Sequence, residues 1–281
     1  MDYEKVFNKI IEETYEYLYK NNLKTMILGI SGGIDSTITA SICYEIIKRY
    51  SKENDLKFIG VNLPCSTNTE EENNSALKAM KAFCKEGDYW IQNLEKEYNT
   101  IKSTCELHTK STLISQGNIK ARLRMIYLYN LSSTLNGIVI DTDNLTEHYL
   151  GFYTIHGDMG DLNPIGGLWK HEIYELGKYL LNYYKDDTDK INALKKSIEI
   201  IPTDGNGVQD GGDMAQIAPG CNYYDVDHIL ISYIQNNDNE IQENYKKYGG
   251  EIVDKVIQRM KNSEFKRKHL PIVIQRNLYD K

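Results

Sequence analysis

Paired cysteines are missing from this chain of 281 residues. Cys43, Cys65, Cys84, Cys105 and Cys221 are scattered, with no C-x-x-C among them. An odd, dispersed set reads as the reduced thiols of a cytoplasmic protein. It speaks against a disulfide framework and against a zinc site. Net positive charge is missing too. The formal balance is −7 at pH 7, which argues against nucleic acid as a partner; Lys266-Arg267-Lys268-His269 is the one clear basic cluster. No apolar run is long enough to span a bilayer, so no membrane partner is expected. The opening residues, Met1-Asp2-Tyr3-Glu4-Lys5, begin an acidic amphipathic pattern and lack a signal peptide's apolar stretch. No internal repeat is present, and no Ser/His/Asp set is evident. What is abundant is ordinary globular material. Apolar residues make up 41% and charged residues 26%, enough for a large α/β domain with an ample core.

One stretch stands out from this background, Ser31-Gly32-Gly33-Ile34-Asp35-Ser36. The apolar run before it, over 25–30, reads as a strand, and helical spacing follows from Thr37 to Tyr50. The order is strand, glycine turn, helix. Two adjacent glycines let backbone N–H groups approach a phosphate with no Cβ in the way. The helix N-terminus behind them adds a positive dipole end and free donors. Ser31 and Ser36 can donate hydroxyl hydrogen bonds to the same anion. Asp35 repels phosphate, so its expected role is to hold the magnesium that accompanies a nucleotide. No Gly-Lys-Ser/Thr follows, so this is not a Walker loop. The pattern S-G-G-x-D-S resembles the pyrophosphate loop of N-type ATP pyrophosphatases, which cleave ATP between the α and β phosphates and adenylate an acceptor. The structural alternative is a Ser/Gly turn with an Asp cap.

The rest of the chain alternates in the same way. Periodicity predicts helices over 3–21, 69–85, 95–108 and 118–135, and strands over 57–63, 88–93 and 137–141. Such alternation predicts a doubly wound parallel sheet with right-handed crossovers. Ligands in such sheets lie at the carboxyl ends of strands. The glycine loop, Pro64-Cys65-Ser66 and Asp141-Thr142-Asp143 all fall there. Beyond residue 150 the pattern gives a loop, then helices over 170–184 and 187–197, a Gly-rich loop over 203–212, and helices near 225–235, 238–247 and 249–262. The stretch 204–220 has many glycines and few apolar residues, and reads as a mobile lid or a plain surface loop.

Further polar segments follow the glycine loop: Asn118-Ile119-Lys120-Ala121-Arg122 on a helix, Thr142-Asp143-Asn144-Leu145-Thr146-Glu147 beyond a buried strand, then Gly151-Phe152. After them come Gly157-Asp158-Met159-Gly160-Asp161-Leu162-Asn163-Pro164, Lys170, Pro202-Thr203, Tyr224-Asp225 and Lys266-Arg267. Singly, each has an ordinary structural explanation. Together they resemble ammonia-dependent NAD synthetase, over about residues 24–272.

The resemblance implies an α/β fold of the adenine nucleotide alpha hydrolase-like type, with flanking helices and a C-terminal helical extension. It implies ATP-dependent adenylation of the nicotinate carboxylate of deamido-NAD, then amidation by ammonia to give NAD⁺, AMP and diphosphate. ATP is the co-substrate and Mg²⁺ the cofactor. Gly29, Ile30, Ser31, Gly32, Gly33, Ile34, Asp35 and Ser36 would wrap the phosphates, with Thr142, Lys170 and Thr203 also contacting ATP. Asp35 and Glu147 would hold magnesium. Arg122, Asp161 and Lys266 would contact deamido-NAD, with Phe265 at a position where the family has His. Asp35 and Lys170 would carry the catalysis, and Asp158 would either accept a proton from attacking ammonia or cap a turn. The family further implies a homodimer. Residues 1–281 are expected to form a single amidating domain with no glutaminase domain. Departures cluster on the acid side. Asp141 stands where the family has Gly, Ile155 where it has Lys, and Met159 where it has Gly, with one residue fewer before Asp161. They admit two alternatives, a related ligase amidating a different carboxylic acid and an ATP-binding homologue that has lost catalysis.

Overall fold

The computed structural model describes residues 1–65, 68–200 and 217–268. Four parallel strands form the sheet: β1 (Thr25–Gly29), β2 (Lys57–Asn62), β3 (Tyr89–Ile91) and β4 (Gly137–Ile140). Helix α1 (Tyr3–Lys20) precedes β1, α2 (Ile34–Asn54) joins β1 to β2, and α3 (Glu70–Phe83) joins β2 to β3. Helices α4 (Glu95–Cys105) and α5 (Leu113–Thr134) join β3 to β4. After β4 come α6 (Leu145–Leu150), α7 (Lys170–Tyr183), α8 (Thr188–Glu199), α9 (Tyr223–Ile234), α10 (Asp238–Tyr248), α11 (Gly250–Asn262) and a 3₁₀ turn (Glu264–Arg267).

The strand order is β3-β2-β1-β4, so β1 lies inside the sheet, with Ile27 paired to Ile59 on one side and Val139 on the other. Burial on both faces explains why β1 is continuously apolar. Its side chains alternate between two cores. Met26 and Leu28 join Phe7 of α1, Ile38 and Ile42 of α2, Met80 of α3, Leu176 of α7 and Leu194 of α8. Ile27 joins Ile59, Val139, and Met125 and Leu128 of α5. This is the doubly wound α/β sheet that the sequence predicts. A third core joins Val226, Ile229 and Leu230 of α9 to Val253, Val256 and Met260 of α11, with Leu150 of α6 packed among them. It forms the C-terminal helical extension. The chain leaves β1 for the α2 side and reaches β4 from the α5 side, so a crevice opens at the carboxyl ends of these two strands.

Several boundaries differ from the sequence reading. Helix α5 begins at Leu113, five residues before 118, because Thr112 caps it by accepting the Ser115 N–H at 3.1 Å. That cap outweighs the poor helix propensity of Gly117. Helix α4 stops at Cys105, short of 108, where Leu107 is exposed with nothing to bury it. Strand β3 spans only Tyr89–Ile91, because it is an edge strand paired with β2 alone. Helix α6 was not foreseen; six residues are too few to show a period. Residues 66, 203 and 204–216 lie outside the described residues, and with them Thr203 and most of the expected lid. At the lid's far end, Ala218 is buried in the third core.

Candidate active site

The glycine loop leaves β1 through a tight contact with α3. Ile30 still pairs with β2, its N–H donating to the Val61 carbonyl at 2.8 Å. Gly32 then turns with φ +84°, and a Cβ there would sit 2.3 Å from the Ala76 backbone nitrogen. Only glycine combines that φ with that approach. Ser75 Oγ locks the turn by donating to the Gly32 carbonyl at 2.8 Å. Ser36 Oγ accepts the Gly32 N–H at 3.2 Å and donates to the Gly33 carbonyl at 3.1 Å. Ser31 Oγ lies 3.0 Å from Ser36 Oγ and accepts the Gly33 N–H at 3.3 Å. These are long, neutral bonds that an anionic oxygen can replace with stronger ones. Gly33, at the N-cap of α2, has no side chain to cap it, which leaves the helix end available to an anion. Ile34 is buried beneath and anchors that end.

At the end of this loop, three charged side chains converge, Asp35, Glu147 and Lys170. Lys170, the first residue of α7, is only 2% exposed. Its Nζ donates to Asp35 Oδ2 at 2.5 Å and to Glu147 Oε1 at 3.2 Å. Burial opposes its charge, but the Asp35 and Glu147 carboxylates outweigh burial and hold its pKa well above the ordinary lysine range. Burial lifts Glu147 to about 7, with Lys170 opposing the rise and Asp35 adding to it. Asn144 ties the pair together. Its Nδ2 donates to Asp35 Oδ1 at 2.9 Å, and its Oδ1 accepts the Glu147 N–H at 3.0 Å. Glu147 Oε2 returns to the Asn144 N–H at 3.1 Å, closing a capping box that starts α6.

Just beyond β4 stands an acidic wall. Asp141 Oδ1 accepts the N–H groups of Thr142 at 2.6 Å and Asp143 at 3.0 Å. Burial nevertheless pushes Asp141 up to about 6, since the bonds recover only part of the lost hydration. Asp143 is pushed well up by burial and by the charges of Asp141 and Glu147, and its buried Oδ2 has no hydrogen-bond partner. Asp158 is raised by burial while its Oδ1 accepts the Thr154 N–H at 2.7 Å.

A cavity of about 800 Å³ opens beside this wall, lined by Arg122, Met125, Ile126 and Tyr129 of α5, by His148, Tyr153, His156, Gly157 and Met159, and by Lys266, Arg267 and Lys268. Arg122 Nη2 donates to the Ile155 carbonyl at 3.0 Å, and Lys266 Nζ donates to the carbonyls of Gly151 at 2.6 Å and Tyr153 at 2.5 Å. The His148 and Tyr153 rings lie nearly parallel, 6.2 Å apart. Two expected substrate contacts stand apart from this lining. Asp161 accepts from Tyr129 Oη at 2.9 Å and from the Val139 N–H at 3.2 Å, which engages both its oxygens in the fold. Phe265 is 52% exposed on the 3₁₀ turn. The sequence reading placed Asp143 and Asn144 in a polar segment without a role of their own, and it did not single out His148 or Tyr153. The Asn144-x-x-Glu147 capping signature was available as a signal for Asn144. Nothing in the chain marks the two rings, because only folding brings them together.

The chain matches the NAD synthase family model over residues 6–270. It is 33% identical to the NH(3)-dependent NAD(+) synthetase of Carboxydothermus hydrogenoformans, over 82% of this chain and 84% of that protein. It is 32% identical to the enzyme of the same name from Lactobacillus johnsonii, over 99% of this chain and 93% of that one. Its fold is similar to the solved NH3-dependent NAD synthetase from Campylobacter jejuni, with a TM-score of 0.74 at 27% identity, covering 98% of this chain and 100% of that one. A match running from α1 through the glycine loop and the charged triad to the 3₁₀ turn leaves one conclusion: the chain belongs to the NAD synthase family.

Proposed function

We propose that this protein is an ammonia-dependent NAD⁺ synthetase, a ligase that adenylates the nicotinate carboxylate of deamido-NAD with ATP and amidates it with ammonia. The observation that carries the reading is the convergence of Asp35, Glu147 and Lys170 at a glycine loop whose Gly32 and Gly33 N–H groups donate to serine hydroxyls. The carboxylate attacks the α-phosphorus, the α–β bridge bond breaks and diphosphate leaves. Ammonia then attacks the acyl carbon, AMP leaves, and one proton is lost. Negative charge grows on the leaving diphosphate, so fixed donors and cations beside it supply the catalysis.

In this reading Gly29 to Ser36 cradle the phosphates, Thr142 and Thr203 contact ATP, and Lys170 bears on the leaving diphosphate. Arg122 and Lys266, which line the cavity, contact deamido-NAD, and Asp158 takes the proton released by ammonia. The donor set fits magnesium. Asp35 and Glu147 already share one cation, Lys170 Nζ, and the described residues hold no cluster of three or more ligands. Magnesium asks for one or two carboxylates and takes its remaining oxygens from phosphates and water. Asp35 and Glu147 would hold the ion, which when bound neutralises phosphate charge. The family also supports a cytoplasmic homodimer; among the described residues no helix is long and apolar enough to cross a membrane.

Incubation with ATP, Mg²⁺, ammonium and deamido-NAD is expected to yield NAD⁺ and AMP in equal amounts. AMP release with another carboxylic acid, and none with deamido-NAD, would overturn the assigned acid. Bound ATP without diphosphate release would overturn catalysis altogether.

A further inference from the structure

The third core supplies one buried charge that the reaction scheme leaves unused. Asp227, on α9, is fully buried, and both of its oxygens are engaged. Oδ1 accepts the Thr146 hydroxyl of α6 at 2.5 Å. Oδ2 accepts the backbone N–H of His171 at 2.9 Å and lies 2.8 Å from His171 Nδ1. Thr146 Oγ1 in turn accepts the Lys170 N–H at 2.9 Å. One carboxylate therefore joins three elements. It grips the N-terminus of α7 at the residue after Lys170, and it grips α6 at the residue before Glu147.

We propose that Asp227 is the positioning residue for Lys170. Trp169, at the N-cap of α7, accepts no cap bond through its side chain, so the first N–H groups of that helix depend on Thr146 and Asp227. A carboxylate suits this end of a helix, where the dipole is positive. Through these bonds it fixes the backbone from which Lys170 reaches Asp35 and Glu147. A misplacement of about 1 Å at a catalytic group can cost about 10²-fold.

This inference rests on the ATP-binding role of Lys170 proposed above, and its test needs no acid substrate. Affinity for an ATP analogue that cannot be cleaved between the α and β phosphates is measured with Mg²⁺ for the parent, Asp227→Asn, Lys170→Ala and the double variant. Asp227→Asn is expected to weaken binding about tenfold in the parent and less than twofold in the Lys170→Ala background, the non-additivity of a shared path. Equal losses in both backgrounds, or no loss in the parent, would overturn the positioning role. No loss on Lys170→Ala itself would overturn the role of Lys170, a separate failure. Thr146→Val, read in the same cycle, takes the place of Asp227→Asn where that variant does not fold.

Discussion

Lys170 is charged and almost fully buried because two carboxylates meet it. Removing one member of such a group costs more than its absence from the start, since the others stay desolvated. Lys170→Met is expected to lower AMP formation about 10²–10³-fold, the usual loss for one fixed donor at a charge-developing site. Unchanged turnover would remove Lys170 from the mechanism. Magnesium should raise the melting temperature of that variant more than that of the parent, because Asp35 and Glu147 then lack the cation they share among the described residues. Asp141 gives a pH dependence. Its carboxyl is raised to about 6, so between pH 4 and 6 the folded chain keeps a proton that the unfolded chain has released. Stability therefore falls as pH rises through that window, and the penalty is complete above it. Asp141→Asn keeps an oxygen for the Thr142 and Asp143 N–H groups and removes the charge. It is expected to gain roughly 2–3 kcal/mol at pH 8 and progressively less toward pH 4 in denaturant titrations. A gain that does not vary with pH would refute the assignment.

At the scale of elements, the site hangs on two short connections. In the glycine loop, Gly32→Ala brings a Cβ against the α3 backbone at a φ that disfavours any side chain. A cost of about 1–3 kcal/mol is expected, together with loss of ATP-analogue binding, because the serine-held N–H groups move with the loop. Thermal melts and calorimetric titration check both effects, and a variant with parental affinity would show that the loop geometry is not needed. In α6, Asn144→Ala removes a cap worth about 1 kcal/mol and also releases Asp35 and Glu147 from each other. Its activity should fall further than its stability. The sequence reading located the glycine loop well because strand, turn and helix are local and each has its own signature. It missed α6 because a six-residue helix is fixed by its cap and by Leu150 in the third core, which periodicity does not register.

For the whole molecule, the exposed apolar residues of α5 bear on assembly. Leu113, Ile114 and Ile126 are 68%, 77% and 67% exposed, a concentration of apolar surface on one helix. Ile126 also lines the cavity. A homodimer closing over Ile126 would bury it and wall the cavity with a second copy. Sedimentation is expected to give twice the chain mass for the parent and the chain mass for Ile126→Asp. A monomeric parent with full activity would rule the dimer out of the function.

By itself the sequence determined the α/β class, the strand, glycine turn and helix of the loop, and the family. These rest on local order, on periodicity and on residue types whose spacing carries meaning. Only the tertiary structure decided what the carboxylates do. Asp35, Asn144, Glu147 and Lys170 lie on three separate helices or at their ends, and the Asp35–Lys170 pair is 135 residues apart in sequence. Folding around β1 and β4 brings them within hydrogen-bond distance, away from most solvent, where one lysine must answer for two acids. The same packing separated Phe265, left exposed, from the cavity that holds Arg122 and Lys266, and joined Asp227 to the end of α7. Charge, burial and distance act together only in three dimensions, and they set the chemistry of this crevice.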